Sequence, residues 1–155
     1  MKKQFTVAFT EGGFIKIKKE FDDLSAKRPT YVEELSRARD MGDRSENAAY
    51  KAARRRLSST DSRLRFLKRL VENAKVVKPT QSEYVEIGSV VKVNNGNEDM
   101  VFYIVGEYEA NPTEGNISYK SPVGRALLGK RVNSSVTVQI PTGPIYLRIL
   151  KIENR

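Results

Sequence analysis

Asp43 and Glu46 stand three residues apart in the run Asp40-Met41-Gly42-Asp43-Arg44-Ser45-Glu46-Asn47. Two carboxylates presented from one point are hard oxygen donors. Mg2+ commonly takes one or two protein carboxylates, with water and phosphate completing its shell. On an isolated loop such a pair holds the ion weakly. It gains meaning when delivered into a site that already contains phosphate and metal. The same residues have a plainer use: Asp43 or Ser45 can cap a following helix, with Glu46 closing a capping box or complementing the helix dipole. Spacing alone leaves both readings open. The chain contains no Cys and no His among its 155 residues, which excludes disulfides, thiol or imidazole catalysis and zinc fingers. Any chemistry must therefore run on carboxylates, hydroxyls, Lys, Arg or an oxygen-bound metal.

Immediately after this run the charge changes sign. Lys51, Arg54, Arg55, Arg56, Arg63, Arg65, Lys68, Arg69, Lys75 and Lys78 are opposed only by Asp61 and Glu72. A charged run is commonly a solvated helix face, yet like charges four apart, such as Arg65 and Arg69, repel. A polyanion that neutralises them removes that cost, through phosphate contacts that position without reading sequence. Few aromatics interleave, so base stacking is not signalled. The net charge of +9 fits the same partner and says nothing of fold.

These residues require elements to place them. Phe14, Ile17, Phe21, Leu24, Arg28, Tyr31, Leu35 and Ala38 follow steps of three and four, with Arg28 alone breaking the apolar seam. A second seam runs Tyr50, Ala53, Leu57, Thr60, Leu64, Leu67, Val71 and Ala74. Two narrow stripes of this length predict an antiparallel coiled-coil hairpin, with the acidic run at its turn. Thr10 suits the N-cap of the first helix, and Pro29 predicts an irregularity within it. About 30 residues per arm give roughly 45 Å, long enough to project.

The composition shifts near Pro79. Residues 1–78 carry 20 basic and 11 acidic side chains, whereas 79–155 carry 8 of each. We therefore expect a helical domain over 1–78, with its acidic tip near 40–47, and a globular α+β domain over 79–155. In the latter, Tyr84–Ile87, Ser89–Asn94, Met100–Val105, Ile117–Tyr119, Val136–Ile140 and Ile145–Ile152 read as strands of an antiparallel sheet. Asn94-Asn95-Gly96-Asn97 and Pro141-Thr142-Gly143-Pro144 supply turns. Ser121-Pro122 opens a short helix closed by Gly129. There is no signal-peptide-like run, membrane span or lipidation signature, and the expectation is a soluble cytoplasmic monomer with no membrane partner.

The run from Gly42 to Tyr50, with Arg28-Pro29 upstream and Ser121-Pro122-Val123-Gly124-Arg125-Ala126-Leu127-Leu128-Gly129-Lys130 downstream, resembles the Gre transcript-cleavage factors of bacterial RNA polymerase. The likeness extends from about Thr10 to Ile152. Arg44 and the Arg54–Arg56 cluster lean toward the GreB branch, while Gly129-Lys130 is GreA-like. The resemblance implies a coiled-coil hairpin joined to an FKBP-like sheet with one short helix. It implies a factor that is not itself an enzyme. Such a factor enters the polymerase secondary channel and stimulates Mg2+-dependent cleavage of backtracked RNA by the polymerase's own active site. Carried over, Asp43 and Glu46 would be the metal-assisting pair, sharing Mg2+ with the polymerase, and Ser45 and Asn47 would be positioning neighbours. Lys51, Arg54, Arg55 and Arg56 would meet the RNA 3′ segment. Ser121, Pro122 and Arg125 are docking candidates, although Ser121 reads equally well as a helix cap. Ala49 stands where family members usually have an acid, so a third tip carboxylate is missing. Two alternatives stay open: a basic coiled-coil module that binds nucleic acid or polymerase without a cleavage role, and a prolyl isomerase.

Overall fold

The computed structural model describes residues 5–42 and 47–154. The chain forms two compact units, Met1–Phe14 with Ala74–Arg155, and Ile15–Asn73. The expected division at 78–79 does not coincide with this one. Strand β1 (Val7–Phe9) pairs in parallel with β2 (Ala74–Val76), Val7 opposite Ala74 and Phe9 opposite Val76. The Val77 N–H adds a bond to the Phe9 carbonyl at 2.8 Å. The first residues thus belong with the second half, and a composition shift cannot reveal a pairing between such distant segments.

Helix α1 (Glu11–Asp40) and helix α2 (Ala48–Glu72) make the hairpin. Thr10 caps α1 as expected: its hydroxyl accepts from the Gly13 N–H at 3.1 Å, and its carbonyl from Phe14 at 2.9 Å. From Phe14 to Ala38 every seam residue except Arg28 is buried or half-buried, as are Tyr50 to Val71 on α2. The period therefore located the interface. Ion pairs fix the antiparallel register: Arg63 donates to both Glu20 oxygens at 2.7 and 2.9 Å, and Arg56 to Glu34 at 2.8 Å. Pro29 lies inside α1, where its missing N–H leaves the exposed turn without one backbone bond. The second seam stops one residue class early. Asn73 ends α2 by bonding back to the Arg69 carbonyl through its backbone and side-chain N–H groups, so Ala74 enters β2 rather than the helix.

The other unit holds a five-stranded sheet of β3 (Val90–Asn94), β4 (Asp99–Val105), β5 (Asn116–Ser118), β6 (Ser135–Ile140) and β7 (Gly143–Glu153), in the order β5-β4-β3-β7-β6. All neighbours are antiparallel except the edge pair β4–β5. Alternation puts Val91, Val93, Ile104, Val136, Val138, Leu147 and Ile149 on one face, where helix α3 (Pro122–Leu127) adds Leu127. Gly124 is required in α3, since a Cβ there would lie 2.0 Å from the Ser118 carbonyl oxygen. The α+β class, helical hairpin and mainly antiparallel sheet with one short helix, is as expected. Tyr84–Ile87 is not a strand. Only Tyr84 makes a bridge, to Arg131. The Glu86 carboxylate accepts from the Thr80 N–H and from the Thr80 and Ser82 hydroxyls, and the Glu86 N–H donates to Ser89 Oγ. Side chains there satisfy groups that a ladder would otherwise use.

Candidate nucleic-acid and metal-assisting site

The turn of the hairpin is framed by Gly42 and Asn47. Gly42 has φ 133°, a backbone angle that glycine adopts without strain. Asn47 is the N-cap of α2. Its backbone is extended, its side-chain oxygen accepts from the Tyr50 N–H at 3.0 Å, and its carbonyl accepts from Lys51 at 3.1 Å. Neither Asp43 nor Ser45 fills that position, because an N-cap must directly precede the first helical turn and α2 begins at Ala48. The Asn47 amide also donates to the Ala38 carbonyl near the end of α1 at 2.7 Å. One side chain therefore starts α2 and ties it to α1. Asp43, Ser45 and Glu46 lie outside the described residues. Among the described residues no group of three or more Asp, Glu, Cys or His side chains is placed to hold a metal.

Behind the turn, α2 divides its cations between two sides. Lys51, Arg54 and Arg55 are exposed and line a surface concavity of about 530 Å³ together with Ser58, Ser59 and Ser62. Arg56 points elsewhere: it bonds Glu34 at 2.8 Å and stacks 5.5 Å from the Tyr31 ring centre. Arg56 also lines a second concavity, of about 270 Å³, with Ala38, Met41 and Ala49. The four basic residues singled out in the sequence thus separate into three exposed cations that make no ion pair among the described residues and one paired with α1. Arg63 is likewise engaged, with Glu20, and hydrogen bonding to that carboxylate raises the Arg63 guanidinium above its ordinary range. Arg28 pulls the Asp61 carboxyl below the ordinary carboxylate range, chiefly by hydrogen bonding. The three serines were not anticipated as lining. The signal was present, since residues 51, 55, 58 and 62 recur on one helical face.

In the other unit Ser121 is the N-cap of α3, accepting from the Gly124 N–H at 3.0 Å and donating to the Ser118 carbonyl at 2.8 Å. Its hydroxyl is occupied by that structural task. Pro122 and Arg125 are exposed on the same short helix. Sequence reading missed the neighbouring stack of Arg131 on Tyr84, 4.5 Å to the ring centre, which depends on a bridge between segments remote in the chain.

A helical hairpin with an exposed basic face, followed by a sheet unit with one short helix, is the two-part plan of a transcription elongation factor. Residues 7–76 match the family described as transcription elongation factor, N-terminal, and residues 80–154 the family described as transcription elongation factor, GreA/GreB, C-term. Transcription elongation factor GreA of Nitratiruptor sp. is 41% identical over 147 residues, covering 92% of this chain and 90% of that protein. Its counterpart in Caldanaerobacter subterraneus is 38% identical, covering 94% and 96%. The crystal structure of GreA factor homolog 1 of Thermus thermophilus aligns over 97% of this chain and 100% of that one at 23% identity and TM-score 0.46, too loosely to bear on function. The chain belongs to the GreA/GreB family of transcription elongation factors. The relatives named here are called GreA, so the lean toward GreB finds no support in them. Among the described residues no helix is long and apolar enough to cross a membrane.

Proposed function

We propose that this elongation factor inserts the turn of its hairpin into the secondary channel of bacterial RNA polymerase and stimulates cleavage of backtracked nascent RNA by the polymerase active site. One observation carries the reading. Asn47 fastens the two helix ends beside the Asp43/Glu46 segment, and the exposed cations Lys51, Arg54 and Arg55 begin one turn further along α2. Acid at the end with base behind it suits an arm that offers ligands where an RNA 3′ segment is held. Asp43 and Glu46 supply hard carboxylate oxygens, a donor set that fits Mg2+ shared with the polymerase. In a two-metal site the ion stabilises the attacking and leaving oxygens of a phosphodiester. Ser45 and Asn47 position the pair, Lys51, Arg54 and Arg55 meet the RNA phosphates, and Pro122 and Arg125 face the docking partner. The chain contributes ligands and no complete catalytic centre of its own.

The experiment is addition of the chain to an arrested elongation complex in the presence of Mg2+. Wild type shortens the RNA from its 3′ end, whereas Asp43→Asn loses most of that stimulation while still binding polymerase. Equal cleavage by Asp43→Asn and wild type would leave a basic binding module as the better description.

A further inference from the structure

The exposed cations Lys51, Arg54 and Arg55 of α2 do not end a binding surface. The concavity they line continues through Ser58, Ser59 and Ser62. Counted along the helix, Lys51, Arg55, Ser58 and Ser62 fall on one line opposite the buried Ala53, Thr60 and Leu67. Arg65, three residues on, rejoins this line and donates to Ser62 Oγ at 3.0 Å. Because Ser62 accepts there, its own hydroxyl proton is left to donate outward. Ser58 and Ser59 are exposed and make no side-chain hydrogen bond among the described residues. From Lys51 to Ser62 the helix rises roughly 16 Å. By contrast Arg56 and Arg63, on another side of α2, are held by Glu34 and Glu20.

We infer that Ser58, Ser59 and Ser62 are phosphate-binding residues that extend the Lys51–Arg54–Arg55 surface along α2, so that a single-stranded phosphodiester chain is held from Lys51 as far as Arg65. This rests on the proposed contact between α2 and RNA and names the residues that lengthen it. None of the six lining residues is apolar or aromatic, and what carbon surface they show belongs to Lys and Arg stems, so a base finds no stacking platform. They are donors only toward an anion. Serine hydroxyls are ordinary partners of phosphate oxygens, and they contribute position without sequence preference. A phosphodiester chain, with evenly repeated acceptors, suits a row of donors better than an acidic peptide.

Cations and hydroxyls leave different marks on salt dependence. Each neutralised phosphate of a single strand adds about 0.7 to the slope of log affinity against log salt, and a neutral donor adds nothing. The test measures binding of a short labelled oligouridylate to the full chain across a KCl series. Substituting Lys51, Arg54 and Arg55 by Gln lowers the slope by about 2. Substituting Ser58, Ser59 and Ser62 by Ala weakens binding by roughly fivefold or more with the slope unchanged, and Thr at the same positions restores it. Arg56→Gln leaves the slope as in wild type. Alanine on an exposed helix face favours the helix, so a melting temperature at or above that of wild type separates lost binding from lost folding. The inference is overturned if the serine variant binds as wild type does, if its slope falls, or if polyglutamate competes as well as polyuridylate. Failure of wild type to bind the oligomer at all also overturns it. RNA cleavage in the arrested complex is read separately, so loss of the serine contribution and loss of the cleavage role are distinguishable.

Discussion

Arg28, the charged residue in the apolar seam of α1, is met by Asp61 of α2 with Nε to Oδ1 at 2.6 Å and Nη2 to Oδ2 at 3.2 Å. The interruption in the seam is thus a two-pronged ion pair between the helices, beside the buried Thr60. The pair depresses the Asp61 carboxyl below its ordinary value of 3.8. A carboxyl lowered in the folded state contributes stability that is present above its unfolded value and is lost as pH falls through the folded one. Thermal melts of wild type and Asp61→Asn should therefore differ at neutral pH and converge below pH 3.8. The gap should be small, because the pair is partly solvated, and high salt should narrow it. A gap that widened in acid would contradict the pair's role.

Within the sheet-containing unit, the Glu109 carboxylate gathers three donors: the Thr10 N–H at 2.9 Å, the Gly106 N–H at 2.8 Å and the Thr10 hydroxyl. Thr10 is only 4% exposed. Glu109→Ala strands those donors and should lower stability by about 1–3 kcal/mol. Gly106→Ala should be worse, since a Cβ would lie 2.2 Å from the backbone carbonyl oxygen of Ala8. At Gly13 the clash is with the Glu109 side chain, which can move only by giving up its three donors, so Gly13→Ala should cost about as much as Glu109→Ala. The expected order of chemical-denaturation midpoints is wild type, then Gly13→Ala, then Gly106→Ala. A Gly106→Ala midpoint equal to wild type would show that the backbones separate more easily than this packing allows.

The hairpin was legible because a seam repeats: every residue it names from Phe14 to Ala38 and from Tyr50 to Val71, Arg28 apart, is buried or half-buried, although the buried Leu70 lies off it. Strands β3, β4, β6 and β7 were legible through their β-branched content. What escaped were relations between distant segments. Three-residue β1 and β2 carry no local pattern, and their parallel pairing sets the unit boundary. The Glu109 cluster joins residues 99 apart. At the site, the sequence marked Lys51, Arg54, Arg55 and Arg56 alike as one basic run, and nothing local showed that Glu34 and Tyr31 draw Arg56 away. Asn47 stood in the motif as a neighbour of the acids. Its capping of α2 became visible only with the helix boundary.

Helix α2 has no acidic residue in its first turn, although an anion there would complement the dipole. Ala49 occupies that turn and is exposed. Ala49→Glu should raise the stability of the hairpin by about 0.3–1 kcal/mol at low salt, offset slightly by the better helix propensity of alanine. The gain should shrink as salt is added, and a melting series at two ionic strengths checks it. No gain at low salt would mean that the Asn47 cap already satisfies that end of the helix.

Asn47 performs two tasks that a pair of substitutions separates. Asn47→Ala removes both the acceptor for Tyr50 N–H and the donor to the Ala38 carbonyl, and should cost about 2 kcal/mol. Asn47→Asp keeps an acceptor at the cap and adds a charge the dipole favours, yet a carboxylate has no proton for Ala38. Its melting temperature should stay near that of wild type while the tie between the helix ends is lost. If that tie aligns the acidic segment, Asn47→Asp will stimulate RNA cleavage poorly despite its stability, and Asn47→Ala will do no better. Full stimulation by Asn47→Asp would instead assign the residue to helix initiation alone, because only the cap survives in that variant.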